Sequence, residues 1–279
     1  MFRKSCKVIR KILFYLITLI FVGVVLLPFV WQFLTSIKPL SEISAIPAVW
    51  LPSKINVQYY INIFTKHPFA RYLLNSLYTA SVSTVISLMI GSAAGYSLSR
   101  LHFRGKKFIL MAVLGISMFP TIATISPLYL LFQKLGLTNT YLGLIIPYVS
   151  MNLPMAIWLF TNYFSHLPKG FEESAAIDGC SRLRTFFSIM LPLIKPGIFS
   201  VGMLVFISSW SEFLYALTFM TRDEMRTVPV GISLLPSEHQ LPWGDMAAAS
   251  IAFTVPLIIV VLIFQKRIIS GMMTGGIKG

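Results

Sequence analysis

Charge is what this sequence has least of. Only 11% of its 279 residues are Asp, Glu, Lys or Arg, and just nine are acidic. A soluble domain carries about 25%, so the outside of a globular fold could not be solvated. Disorder is excluded by the same scarcity, since disordered chains are charge-rich and apolar-poor. The two cysteines, Cys6 and Cys180, supply no disulfide framework. His67, His102, His166 and His239 stand apart, without the spacing of a metal site or of an interfacial enzyme centre. No Gly-x-x-x-x-Gly-Lys-Ser/Thr stretch is present, so the chain has no phosphate loop for ATP.

What is there is apolar: 56% hydrophobic residues and a mean hydropathy of +0.78. A membrane-crossing helix needs about 20 such residues. Stretches 12–37, 72–99, 108–133 and 135–168 contain no Asp, Glu, Lys or Arg, nor does 246–265, while 198–221 holds one acid, Glu212. These intervals predict an all-α membrane protein of six transmembrane helices. The basic run Arg3, Lys4, Lys7, Arg10 and Lys11 before the first span has the charge of a signal peptide. The apolar core that follows is too long for one and lacks a small-residue cleavage site, so a retained helix is expected.

The net charge of +14 sorts by side. With the amino terminus inside, sixteen of the 23 Lys and Arg residues fall on the cytoplasmic face and seven outside. Five of the nine acids fall outside. This is the distribution that orients membrane proteins, and nucleic acid is not needed to explain it. Both termini are then cytoplasmic. The chain divides into a cytoplasmic amino terminus (1–11), a first helix with an extracytoplasmic loop (12–71), a five-helix core (72–270) and a cytoplasmic tail (271–279).

Several local features qualify this plan. The outer loop carries Pro39, Pro47, Pro52 and Pro68 with Trp50, Tyr59, Tyr60 and Phe64, which reads as an extended stretch and a short helix whose aromatics anchor at the membrane surface. Gly91-Ser92-Ala93-Ala94-Gly95 gives the second span a slim face, expected to pack within the bundle. Pro120 and Pro127 in span three, and Pro147 and Pro154 in span four, predict kinks, tolerated where neighbours or a water-lined path satisfy the freed carbonyls. Glu212 costs about 2.5–3.5 kcal/mol in mid-membrane if ionised, so it faces inward, pairs or stays protonated. It is either a path or hinge residue or an interhelical hydrogen-bond acceptor. Tyr148, Asn152, Trp158, Trp210 and Ser211 are open in the same way, between lining a translocation path and packing.

The segment 163–192 joins spans four and five on the cytoplasmic side. Pro168 and Gly170 open it; Glu172 and Glu173 suit a helix amino terminus. Ser174, Ala175 and Ala176 keep that helix slim, and Asp178-Gly179 ends it, glycine permitting left-handed geometry. A second helix starts near Ser181 and runs to Leu191-Pro192. The result is a two-helix finger; the plainer alternative is a loop that merely connects two spans.

The finger resembles the cytoplasmic signature of ABC-importer permeases: Glu-Ala-Ala, three residues, Gly, nine residues, Ile-x-Leu-Pro. Here it stands as Glu173, Ser174, Ala175, Gly179, Ile189, Leu191 and Pro192, with Ser174 in place of the middle alanine. The chain also resembles the shorter permease subunit of the carbohydrate-uptake, maltose-type family. It does so at Asn75-Ser76, Arg100-Leu101-His102-Phe103-Arg104-Gly105-Lys106, Met118-Phe119-Pro120, Trp210-Ser211-Glu212-Phe213 (Ser211 replacing Asn) and Gly275-Gly276-Ile277-Lys278-Gly279.

The resemblance implies the type I importer fold and a second, homologous permease subunit. It also implies two copies of an ATP-binding subunit that hold Mg-ATP, and an extracytoplasmic solute-binding protein. The setting is a bacterial or archaeal inner membrane. The chain itself is non-catalytic and holds no cofactor. Its cargo is expected to be a sugar, trehalose or maltose-like. A non-sugar solute such as glycerol phosphate, or an ion-coupled secondary transporter, are the alternatives. The last would want paired ionisable groups at mid-membrane, and only Glu212 stands there.

Overall fold

The computed structural model describes residues 2–235 and 242–276, with side chains over 10–235 and 242–265. Among the described residues the secondary structure is entirely helical. Two compact units emerge, Met1–Phe69 with Ile232–Val255, and Ala70–Gly231 with Pro256–Gly279.

In the first unit, α1 (Phe2–Thr35) carries the most apolar candidate span, Arg10–Thr35, with none of it buried. Such exposure is what a lipid-facing helix shows. A short α2 (Leu40–Ile43) and α3 (Gln58–Thr65) follow. Lys38 is buried where the chain leaves α1: its Nζ donates to the Val49 carbonyl at 2.6 Å and sits 4.1 Å from the centre of the Trp31 ring. The expected surface anchors divide. Trp50 and Phe64 are exposed, whereas Tyr59 is buried and Tyr60 meets the Ser36 hydroxyl at 2.8 Å. Burial pushes the Tyr59 phenol above its ordinary pKa, with the nearby Asn56 side chain opposing the shift and the Asp245 carboxylate adding to it.

The second unit is built on α4 (Phe69–Arg100) and α7 (Leu142–Ser165). The slim face of α4 packs within the bundle, as expected. A Cβ added at Gly95 would stand 2.5 Å from Cβ of Phe160 and 2.8 Å from the Thr161 nitrogen, and one at Gly91 would stand 3.0 Å from Cβ of Ala156. Lipid is as apolar as leucine, so close backbone approach and side-chain packing hold such helices together, with no water to expel.

Span three is broken into α5 (Lys106–Ser117) and α6 (Thr121–Lys134), which meet at 87° next to Pro120. Pro127, Pro147 and Pro154 lie inside unbroken helices. Beyond α7 come α8 (Gly170–Ile177), α9 (Arg182–Thr185), a π-turn (Phe186–Met190), α10 (Leu191–Leu193) and α11 (Lys195–Trp210), which leaves the preceding arm at 80°. α12 (Leu214–Phe219), a 3₁₀ turn (Asp223–Met225) and α13 (Val228–Ser233) follow, and α14 (Trp243–Gly276) closes the described chain. Among the described residues four helices are long and apolar enough to cross a membrane, or up to six spans if each bent pair counts as one.

Two buried clusters hold this unit. Ala156, Phe160, Phe164, Phe186, Met190 and Val201 join α7 to the finger and α11. Phe132, Leu144, Tyr148, Tyr215 and Phe219 join α6, α7 and α12 at the other end of α7.

Candidate functional site

The finger forms as its residues dictate. Asp178 caps α8, Gly179 takes φ +74°, its N–H reaches the Ala176 carbonyl at 3.1 Å, and the Cys180 N–H reaches the Ala175 carbonyl at 2.9 Å. This paired closure by a left-handed glycine is a Schellman stop. The second arm restarts at once, because the Ser181 hydroxyl accepts the Arg184 N–H at 3.3 Å. A Cβ at Gly179 would meet nothing within 4 Å. Glycine is thus required there by backbone geometry, and the space beside it is left open.

Burial sorts the finger residues into two faces. Glu173, Ser174, Ala176, Asp178 and Gly179 are exposed, together with Ile177 (86%) and Leu183 (72%). Two apolar side chains left bare at a tip made otherwise of small and polar residues are what a protein partner would cover. Ala175 faces inward and is buried; Ile189 and Leu191 are half-buried at the base, and Pro192 is exposed there. Glu172 also turns inward. Its carboxylate accepts the Tyr96 hydroxyl at 2.7 Å and lies 3.3 Å from Nε of Arg100.

The residues expected on a path are placed differently. Tyr148, Asn152 and Trp210 are buried at 0%, 3% and 2% exposure. Asn152 donates to the Tyr148 carbonyl at 2.8 Å and to the Ser209 hydroxyl at 3.2 Å, tying α7 to α11. The Trp210 ring stacks on Phe206, with centroids 5.6 Å apart. Glu212 is buried where the helix breaks, and its two oxygens accept the N–H groups of Tyr215 and Ala216 at 2.9 and 3.2 Å. It therefore satisfies buried amides at the start of α12 that have no partner within the helix. Only Ser211 is exposed.

None of these five lines a cavity of about 820 Å³ at the elbow between α5 and α6. Its wall includes Ser117, Thr121, Thr124, Ser150, Met151 and Tyr215, beside Pro127, Pro147 and Pro154. The hydroxyls of Thr124 and Tyr215 meet at 3.2 Å on its wall. Tyr148 and Asn152 lie on a different stripe of α7 from the one that faces this cavity. Pro147, Ser150, Met151 and Pro154 recur at helical spacing along the cavity side, and Tyr148 and Asn152 follow the buried side. The signal that could have found the wall is the set of hydroxyls close to the prolines.

Of the remaining sequence features, Glu238 and His239 lie outside the described residues, as do Ile277, Lys278 and Gly279 at the end of the tail. Among the described residues no cluster of His, Cys, Asp and Glu fit for a metal is found.

Comparison with known proteins bears out the resemblance. Residues 87–274 match the family model described as binding-protein-dependent transport system inner membrane component. The chain is 41% identical to the trehalose/maltose transport system permease protein of Thermococcus litoralis, over 98% of this chain and 99% of that one. It is 36% identical to the trehalose transport system permease protein of Mycobacterium tuberculosis (strain CDC 1551 / Oshkosh), over 92% and 94%. The sulfoquinovosyl glycerol permease protein of Agrobacterium fabrum is also 36% identical, over 91% and 89%. In fold the chain is similar to the crystal structure of a bacterial ABC transporter that imports alginate, with a TM-score of 0.78 at 23% identity, covering 92% of this chain and 96% of that one.

Proposed function

The chain belongs to the family of binding-protein-dependent transport system inner membrane components, and from that premise we propose that it is one of two permease subunits of an ATP-driven sugar importer in a bacterial or archaeal cell membrane. It is a multi-pass membrane protein and a non-catalytic one. ATP is hydrolysed by a partner subunit, as the missing phosphate loop requires. The relatives at 41% and 36% identity bear names of trehalose and maltose systems, which supports an α-linked disaccharide as cargo. A related solved structure is a complex with a periplasmic protein bound to an alginate pentasaccharide, which supports delivery of sugar from outside by a binding protein.

One observation carries the reading: the finger tip. Glu173, Ser174, Ala176, Ile177 and Leu183 stand exposed around a glycine held at positive φ with open space beside it. We read this surface as the plug that one of two ATP-binding subunits grips, with Ile189, Leu191 and Pro192 seating its second arm. Six spans follow if each bent pair crosses once, and the distribution of basic residues supports both termini being cytoplasmic. ATP-driven closure of the two motor subunits would then move the fingers together and bias the helices between inward-open and outward-open states. The sugar would pass the cavity at the α5–α6 elbow, where the hydroxyls of Ser117, Thr121, Thr124, Ser150 and Tyr215 can pair with its own.

The test is co-purification of the ATP-binding subunit with permease carrying Gly179→Trp or Glu173→Lys, beside uptake of radiolabelled trehalose and maltose into proteoliposomes. Loss of both retention and uptake is expected. Uptake driven by an ion gradient with no ATP-binding subunit present would overturn the proposal in favour of a secondary transporter.

A further inference from the structure

Glu172 and Glu173 are neighbours in the first turn of α8, yet the structure gives them opposite surroundings. Successive helical residues are rotated by about 100°, so one acid points out while the other turns towards the bundle. Glu173 is exposed. The Glu172 side chain is 22% exposed, and its ion-pair partner Arg100 only 7%.

Arg100 is the last residue of α4, and it holds two segments at once. Nε faces Glu172 at 3.3 Å, and Nη2 donates to the Leu167 carbonyl, just past the end of α7, at 2.7 Å. One turn back, Tyr96 donates to Glu172 at 2.7 Å. Its ring packs against both Phe164 of α7 and Phe186 of the finger's second arm, with centroids 5.3 and 5.1 Å away, and those two rings meet each other at 6.2 Å. A single turn of α4 therefore grips the root of both finger arms. A planar guanidinium presenting several donors in a fixed fork suits such a junction, where a lysine would offer only a point charge.

We propose that Tyr96 and Arg100 are positioning residues that fasten the finger to α4 through Glu172, so that displacement of the finger by an ATP-binding subunit is delivered to the whole of α4. This rests on the reading of the finger tip as the motor-facing plug and adds a separate duty for the inward acid. Glu173 meets the partner; Glu172 passes the load on. With 32 residues, α4 is about 48 Å long at the α-helical rise, enough to carry a movement across the bilayer.

The experiment uses the complete transporter in proteoliposomes, with permease pair, ATP-binding subunits and binding protein, and radiolabelled maltose and trehalose as probes. The readout is sugar imported per ATP hydrolysed, alongside retention of the ATP-binding subunit. Glu172→Gln and Arg100→Met should retain the motor but lower the ratio about tenfold, the loss of one charge-assisted contact. Tyr96→Phe should lower it about threefold. The double Arg100→Met/Glu172→Gln variant should be no worse than either single, and the exchanged pair Arg100→Glu/Glu172→Arg should recover part of the ratio. An unchanged ratio in the singles, or losses that multiply in the double, overturns the tie. Should the Arg100 variants fail to assemble, Tyr96→Phe decides, since it removes one oxygen and keeps the ring in place. Glu173→Lys keeps the two proposals apart. If it retains motor and coupling, the plug reading fails. If it loses them while Glu172→Gln stays fully coupled, only the tie fails.

Discussion

The two ends of α4 are fastened by different chemistry. At its start, Asn75 donates to the carbonyls of Glu224 and Arg226, both at 2.9 Å, and accepts the Tyr141 hydroxyl at 2.9 Å. Ser76 accepts the Val228 N–H at 2.9 Å, and Tyr72 donates to Asp223 at 2.6 Å. Backbone groups of the 220–228 loop thus close on a buried amide and hydroxyl. At the other end the partners are mainly side chains, with one carboxylate shared by a phenol and a guanidinium. Backbone groups cannot leave the fold, whereas a side-chain pair can part and reform. The first end reads as a fixed mount and the second as a joint.

That contrast can be broken by experiment. Asn75→Leu should do the most damage, because it strands two carbonyls and a hydroxyl in a buried site at about 1–3 kcal/mol each. Thermal unfolding in detergent should show the largest loss of the set, about 3 kcal/mol or more. Arg100→Met should cost less, about 2 kcal/mol by the same assay, because Glu172 keeps some access to water to relieve its charge. Equal losses, or the reverse order, would erase the distinction between mount and joint. Glu212→Gln should cost about 1 kcal/mol, since the amide oxygen can still accept one of the two α12 N–H groups; uptake and assembly both unchanged would remove Glu212 from the account of the α11–α12 break. Smallest is Ser181→Ala, about 0.5–1 kcal/mol for a lost helix cap. It should appear as faster amide exchange in the second finger arm alone.

Much of this was legible in the sequence, and what was not has physical reasons. Charge-free intervals located the long helices because a charged side chain in lipid is costly. The finger was legible because it is local: proline, acids, small residues, glycine and a serine cap act within a few residues of one another. Proline was an uneven guide. Pro120 marks the α5–α6 break and Pro147 marks none, since a kink depends on whether neighbours satisfy the freed carbonyl. The break after Trp210 was hidden because Glu212 is spent on amides three and four residues ahead, a use that composition does not reveal. The cavity wall was missed through helical phase. Ser150 and Asn152 are two residues apart, yet one meets the cavity and the other the core. The inward turn of Glu172 is not legible in the sequence, because its partners Tyr96 and Arg100 lie more than seventy residues earlier in the chain.

Between Phe186 and Met190 the helix is wound wide, and the Leu191 N–H reaches back five residues to the Phe186 carbonyl. Such a turn takes up one residue more than an α-turn would, so the second arm holds a spare residue between Phe186 and Met190. Exchanging Ser188 for another side chain would alter only the local chemistry. Deleting it would let the backbone relax to ordinary pitch with the flanking turns nearly in phase, whereas a deletion within an ordinary α-turn of the arm would rotate everything upstream by about 100° about the arm's axis.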